Sequence, residues 1–498
     1  MRVVQISQMQ VGEVDISKIK LDSKSRDDIP QLLAGLQHIY TEPTTRDEIF
    51  KLLASHIAPK TDKSNGRPGM DLWKIFVMGV LRLNLNCDYD RLTELVNQHL
   101  TIRMMLGNSE FDKTPYQLQT IKDNVRLMTE QLLDKINQVL VKSGHALLKK
   151  KENEELRGRC DSFVVETNVH YPTDINLLYD AMRKTISLTA VLCENHNFEG
   201  WREHVYNVKH LKRLMRNAQN KKRSKATSET QKARREANII KAYREYLDVS
   251  KRYLGRAEES QKSLEKQALR GVVEVAILTS IQGFIAHAKR QMDQIERRVF
   301  ADEIIPHDEK VFSIFQPHTE WISKGKAGVP VELGIRVCII EDQYQFILHH
   351  KVMEKTTDDQ AAVPMVKEAK KRFPELASCS FDKGAHSPEN QIALSNLLDR
   401  VVLPRKGHLT EEMREEEESR EFREVRRKHS AVESAINALE VHGLDICPDD
   451  GIWGFKRYVA LAVVARNTQR IGAILISRER EKEARKNLAM TADYRRAA

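Results

Sequence analysis

Residues 379–390 read CSFDKGAHSPEN, and the fourth residue of this stretch decides how the fold is read. The run before it, RFPELASCSF, ends in short apolar residues with the look of a strand tail. Asp382 then stands at the strand end, ahead of Lys-Gly and a helix-starting Ser-Pro-Glu. A lone Asp before Lys-Gly is ordinarily a turn residue. The elements on either side change that reading.

After Pro306, KVFSIF, VELGIRVCIIED and QYQFILHHKVME read as consecutive strands, the last two a hairpin through EDQY. TTDDQAAVPMVKEAKKRF is a helix capped around Asp358, SPENQIALSNLL a helix, and DRVVLPRKG a short strand. TEEMREEEESREFREVRRKHSAVESAINALE is strongly helical, and KRYVALAVVARNTQRIGAILI is an apolar helix. Upstream, the pattern changes at Arg159. CDSFVVETNVHY alternates as a strand, with Asp161, Phe163, Val165 and Thr167 on one face. Thr173 or Asp174 can cap the helix that follows. The chain then stays helical to about residue 300, where Ile239, Tyr243, Leu247, Ser250 and Leu254 form a narrow stripe suited to a long hairpin.

With that insertion removed, the order is β-β-β-α-β-α-β-α, the order of an RNase H-like fold. The fold class expected is therefore α+β/α/β, an RNase H-like catalytic core over 159–475 with a helical insertion at about 175–305. In that fold the first strand is central and the fourth runs beside it in the same direction. Asp161 and Asp382 would then meet, and Glu433 in KHSAVESAI is the best-placed third acid. Clustered carboxylates repel one another unless a cation joins them. Two Mg²⁺ ions, or Mn²⁺ in their place, take such hard oxygen ligands and can drive phosphodiester chemistry.

Residues 1–66 read as a polar segment and 67–158 as a helical N-terminal domain. MDLWKIFVMGVLRLNL forms one amphipathic helix and the segment after NCDYD a second. A third, long helix presents Leu118, Ile121, Val125, Met128, Leu132, Ile136 and Val139. The first two could be a helix-turn-helix, although most helix pairs do not bind DNA. Residues 476–498 read as a basic, disordered tail.

A chain of 498 residues suggests two to four domains, and its net charge of +10 favours a polyanionic partner. Arg202–Arg235 alone holds twelve Lys/Arg against two Glu, including Lys221, Lys222 and Arg223, and points to nucleic-acid contact. The six cysteines are scattered without a C-x-x-C pair, as expected of buried thiols in a reducing compartment. No signal-peptide pattern opens the sequence and the apolar runs are short or interrupted, so a soluble cytoplasmic protein is expected. His349 and His350 are adjacent on a strand, point oppositely, and do not easily share a metal.

Four stretches, DSFVVETNVHYPTD, WISKGKAGVPVELG, SFDKGAHSPEN and RKHSAVESAINALEVHGLD, resemble bacterial insertion-sequence transposases of the DDE type, most closely the ISNCY-like group. The resemblance covers roughly residues 65–475. It implies cutting of double-stranded DNA at terminal inverted repeats, joining of 3′ ends to a target, Mg²⁺ held by Asp161, Asp382 and Glu433, and a homodimer or larger assembly on nucleoid DNA. The family's signature places Tyr seven residues before the third acid, Arg four before and Lys seven after. This chain has Arg426, His429 and Glu440 there.

His429, one helical turn before Glu433, can orient a phosphate or serve local packing. Glu440 and the acids of REEEESREF are rival third ligands. Lys383 can touch the scissile phosphate or face solvent. Lys324 and Lys326 lack P-loop spacing, so no nucleotide cofactor is expected. With Arg405, Lys406, Lys456 and Arg457 they are candidates for backbone contact. A nuclease that cuts without joining and an inactive DNA-binding descendant are the alternative readings.

Overall fold

The computed structural model describes residues 2–5, 9–57, 69–151, 154–266, 271–323 and 330–497, with side chains through Asn487. The chain divides into two compact units, one of residues 1–168 with 322–498 and one of Val169–Trp321. Among the described residues it is a mixed α/β protein, mostly helical, with one open seven-stranded sheet.

The strands are β1 (Leu156–Thr167), β2 (Glu320–Ser323), β3 (Val331–Glu341), β4 (Ile347–Met353), β5 (Leu376–Phe381), β6 (Arg400–Val402) and β7 (Ile446–Cys447). Their order is β2-β3-β1-β5-β6, with β4 also on β3 and β7 on β1. β3 lies antiparallel to β1 and to β4, while β5 is parallel to β1 and β6 parallel to β5. β1 is thus the central strand. It begins earlier than Arg159 because Leu156, Gly158 and Cys160 alternate inward between Arg157 and Arg159. The two arginines disguise that alternation as a polar run.

The KVFSIF stretch is not a strand. Its side chains serve the helical unit instead: Ile314 is buried there and Phe315 meets Phe284 edge-on at 6.0 Å. The long helix expected over 118–139 is two helices, Leu118–Val125 and Glu130–Leu147, because Thr129 caps the second. The helical stretch 410–440 is likewise broken at Ser419 and Ser430, giving Glu411–Glu418, Arg420–His429 and Ala431–Leu439.

Residues 1–66 contain helices Asp28–Thr41 and Pro43–Ile57, whose Leu32, Leu33, Leu36, Ile39, Ile49 and Leu53 are fully buried. The apolar helix near the C-terminus runs over Gly451–Ala497 and takes in the segment read as a tail. These helices meet where neither carries a side chain. A Cβ on Gly472 would lie 1.8 Å from the Gln31 carbonyl oxygen, and one on Gly35 2.1 Å from that of Thr468. Helix Leu72–Asn84 is buried nearly all round, with Trp73, Ile75 and Phe76 at 0 % exposure, so it offers no face to a duplex. Its neighbour Tyr89–Gln98 exposes Asp90, Arg91 and Glu94, a mixed-sign surface poorly suited to phosphate.

The second unit packs helices Asp174–Asn195, His204–Arg223, Glu229–Glu265 and Val272–Phe300 around Tyr243, Tyr246, Leu178, Met182 and Ile281. Thr173 caps the first by accepting from the Asn176 amide. Val272–Phe300 and Gly451–Asn487 are long and apolar enough to cross a bilayer by length and composition, and the second is mostly buried in its own unit.

Candidate functional site

The register of β1 against β5 pairs Arg159 with Ser380 and Cys160 with Phe381. The next residue after each of that last pair is Asp161 on β1 and Asp382 just past the end of β5, and both line one cleft. Asp382 is exposed and leads into a single 3₁₀ turn, Lys383–Ala385. That turn is pinned from two sides. Lys406 Nζ donates to the Gly384 carbonyl at 2.7 Å, and Asn390 Nδ2 donates to the Ala385 carbonyl at 2.8 Å.

Glu433 lies exposed in the first turn of helix Ala431–Leu439, which packs on β1 through Val432, Ala435 and Leu439. The electrostatics of Asp161 report the grouping. Burial above all, with the charges of Asp382, Asp358 and Glu433 and against one hydrogen bond from the Ser162 amide, pushes its carboxyl up to about 6. The three acids named from sequence thus share one electrostatic neighbourhood. Among the described residues, no three metal-ligating side chains ring a common point. The donor set still fits a hard divalent cation: it is all carboxylate oxygen, and its mutual repulsion is what a cation relieves.

Asp358 was read from sequence only as a helix cap. Thr357 is the N-cap of helix Asp358–Arg372, and Gln360 Oε1 accepts from the Thr357 amide. That leaves the Asp358 carboxylate for the site, where Ser162 Oγ donates to it at 2.5 Å. The surplus acid in TTDDQ was the one available signal. Asp161, Ser162, Asp358, Asp382 and Gly384 line one small cleft.

His429 shares a hydrogen bond of 3.0 Å between Nδ1 and Ser380 Oγ, while its buried Nε2 has no partner. Burial lowers its pKa, with the charges of Asp382 and Glu433 opposing, so the ring is neutral at pH 7. Three cysteines lie under the same strands: Cys160 and Cys338 sulfurs approach to 3.4 Å, and burial drives Cys379 far above its usual range. These thiols are packing groups.

The basic candidates separate by what already holds them. Arg405 pairs with Glu416 at 2.6 Å and Glu417 at 3.9 Å, so the acidic run is engaged there. Arg457 is tied to Asp449 at 2.7 Å, and Asp449 also pairs with buried Arg82 at 2.8 Å. Lys456 pairs with Glu354 at 2.5 Å and lies over the exposed Trp453 ring. Lys383 is exposed beside Asp382. Lys324 and Lys326 lie outside the described residues. In the helical unit Lys221, Lys222 and Arg223 are exposed, as are Lys209, Lys212, Arg213 and Arg216 one to four turns earlier. His349 and His350 are both buried, and burial with Arg372 nearby holds both neutral.

No family model matches this chain, and no curated protein or solved structure matches it either.

Proposed function

We propose that the sheet and its acids form an RNase H-like metal-dependent polynucleotidyl-transfer core. Within that class we read the protein as a DNA transposase, which cuts at element ends and joins the freed 3′ ends to a target. The observation that carries this is the placement of Asp161 and Asp382 one residue beyond the last register pair of two adjacent parallel strands, with Glu433 acting on the Asp161 carboxyl from a helix. The strand order β4-β3-β1-β5-β6, antiparallel on one side of β1 and parallel on the other, supports the fold reading.

Asp161, Asp382 and Glu433 would hold Mg²⁺ or Mn²⁺, which supplies Lewis-acid stabilisation of the phosphodiester and activates the attacking oxygen. Asp161 and Asp382 sit on or at the end of strands and so keep their spacing as DNA enters. Ser162 restrains Asp358, and Ser380 restrains the His429 ring. A neutral His429 offers a hydrogen bond to a phosphate oxygen without adding a fixed charge. Cutting forms one P–O bond from water and breaks one, and joining exchanges one P–O bond for another. Neither step needs a nucleotide to drive it. The exposed cations of helix His204–Arg223 hold the duplex by its backbone.

The test is a Mg²⁺-dependent cleavage and joining assay on duplexes carrying the DNA that flanks this gene. Wild type is compared with Asp161→Asn, Asp382→Asn and Glu433→Gln, with DNA binding measured in parallel. Cutting and joining by wild type, with at least ~10³-fold loss in each variant and binding retained, is expected. Cutting without joining makes the protein a nuclease. Binding with no cutting in either metal overturns the enzymatic reading.

A further inference from the structure

A second cavity is distinct from the cleft at the acids. It lies within the helical unit, about 820 Å³ in volume, between the start of helix Asp174–Asn195 and the segment after Phe300. That volume is ample for a bound small molecule. Gln291 lines it at 0 % exposure, and both its amide oxygen and nitrogen lack a hydrogen-bond partner. A buried primary amide with neither atom satisfied is costly unless something completes it. Its neighbours are already occupied: Gln219 donates to Asn176 at 2.5 Å and Gln294 to the Glu309 carbonyl at 2.8 Å.

Aromatic surface stands along the same cavity. Trp321 meets Tyr171 at 5.8 Å and Phe312 at 5.6 Å between ring centroids, and Tyr171 is 60 % exposed. The lining charges are unbalanced. Arg298 neutralises Asp174 at 2.6 Å and Arg297 neutralises Glu303 at 2.5 Å. Lys222, Arg223 and Lys310 also line the cavity, with Asp302 as the remaining lining acid.

An amide that offers one donor beside one acceptor matches the edge of a nucleobase. The exposed Tyr171 ring and the half-buried Trp321 and Phe312 rings supply a stacking face, and the lining lysines supply a phosphate site. We propose that this cavity binds a nucleotide unit, its base read by Gln291 and stacked on the Tyr171–Trp321–Phe312 rings, its phosphate held by Lys222 and Lys310. The unit can arrive free or as part of an unpaired strand. The site is independent of the metal-ligand acids and holds whether or not the chain joins DNA.

Isothermal titration of the full chain without divalent metal tests it, using AMP, adenosine, inorganic phosphate and single-stranded oligo(dA). AMP is expected to bind more tightly than adenosine or phosphate, and Gln291→Leu to weaken it about tenfold. Because that substitution removes an unsatisfied buried amide, its melting temperature is expected to hold or rise. Lys310→Gln is expected to weaken AMP and leave adenosine unchanged. Gln291-dependent binding of the oligonucleotide alone assigns the nucleotide to a strand. If a folded Gln291→Leu binds AMP and the oligonucleotide as wild type does, or if wild type binds neither, the proposal is overturned.

Discussion

The hydroxyl of Ser162 donates to the carboxylate of Asp358 at 2.5 Å, fastening the start of one helix to the central strand one residue past Asp161. Asp161 is thereby held among three other acids whose charges raise its pKa, after burial itself. A site assembled in this way stores repulsion in the folded state.

Folded Asp161 keeps its proton up to about pH 6, whereas the ordinary value is 3.8. Between those values the folded state binds more protons than the unfolded one, so stability falls as pH rises through the window. Asp161→Asn should accordingly be more stable than wild type at pH 7.5, by roughly 1–2 kcal/mol, and equal to it near pH 4. Thermal melts at the two pH values check this. Added Mg²⁺ should raise the wild-type melting temperature and narrow the gap.

Asp449 should behave in the opposite way. Burial pushes its carboxyl up, but the Arg82 and Arg457 guanidiniums overcome that and hold it below the usual range. Asp449→Ala leaves Arg82 buried against Tyr89 and Tyr458 without its counter-ion. A loss of about 3–5 kcal/mol in urea unfolding is expected. Stability contributed by Asp449 is present at neutral pH and lost as the solution is acidified below the normal carboxylate range.

The exposed cations of helix His204–Arg223 should govern how DNA binding depends on salt. Replacing Lys209, Lys212, Arg213 and Arg216 by Gln should lower the slope of log K against log salt by up to ~3.6. Binding titrations between low and physiological salt measure it, and an unchanged slope would move the contact elsewhere.

Two glycines should respond with opposite signs to the same change. Gly472→Ala forces the Gln31 carbonyl aside and should cost at least about 1–3 kcal/mol. Gly283 stands mid-helix with nothing within 4 Å, so Gly283→Ala should stabilise by ~0.5–1 kcal/mol. Chemical denaturation of both variants separates them.

The alternating run of β1, the consecutive strand runs of β3 and β4, and the acid at the end of β5 were visible as residue patterns. So was the cap, narrowed to Thr173 or Asp174, of which Thr173 makes it, because a cap is decided by its own side chain and the next turn. What escaped was set by distant partners. Phe315 and Ile314 look like strand residues until the helical unit that receives them is known. Asp358 looks like a cap until Ser162 is brought to it by the sheet. Arg405 and Arg457 look free until Glu416, 11 residues on, and Asp449, 8 residues back, are brought onto them by the intervening turns. Residues 1–66 look polar because their apolar positions are sparse, yet Leu32, Leu33, Leu36, Ile39, Ile49 and Leu53 are buried, and helix Asp28–Thr41 packs against the last helix.

That last contact sets an order of assembly. Helix Asp28–Thr41 is made early, but the surface that receives it, Gly451–Ala497, is translated after everything else in its unit. Val169–Trp321 is continuous in sequence and closes on its own core. During synthesis the helical unit can therefore fold first, while the unit bearing the acids waits open for its final helix. A ribosome that stalls before residue 451 would release a chain with one finished unit and one exposed core, a natural substrate for proteolysis.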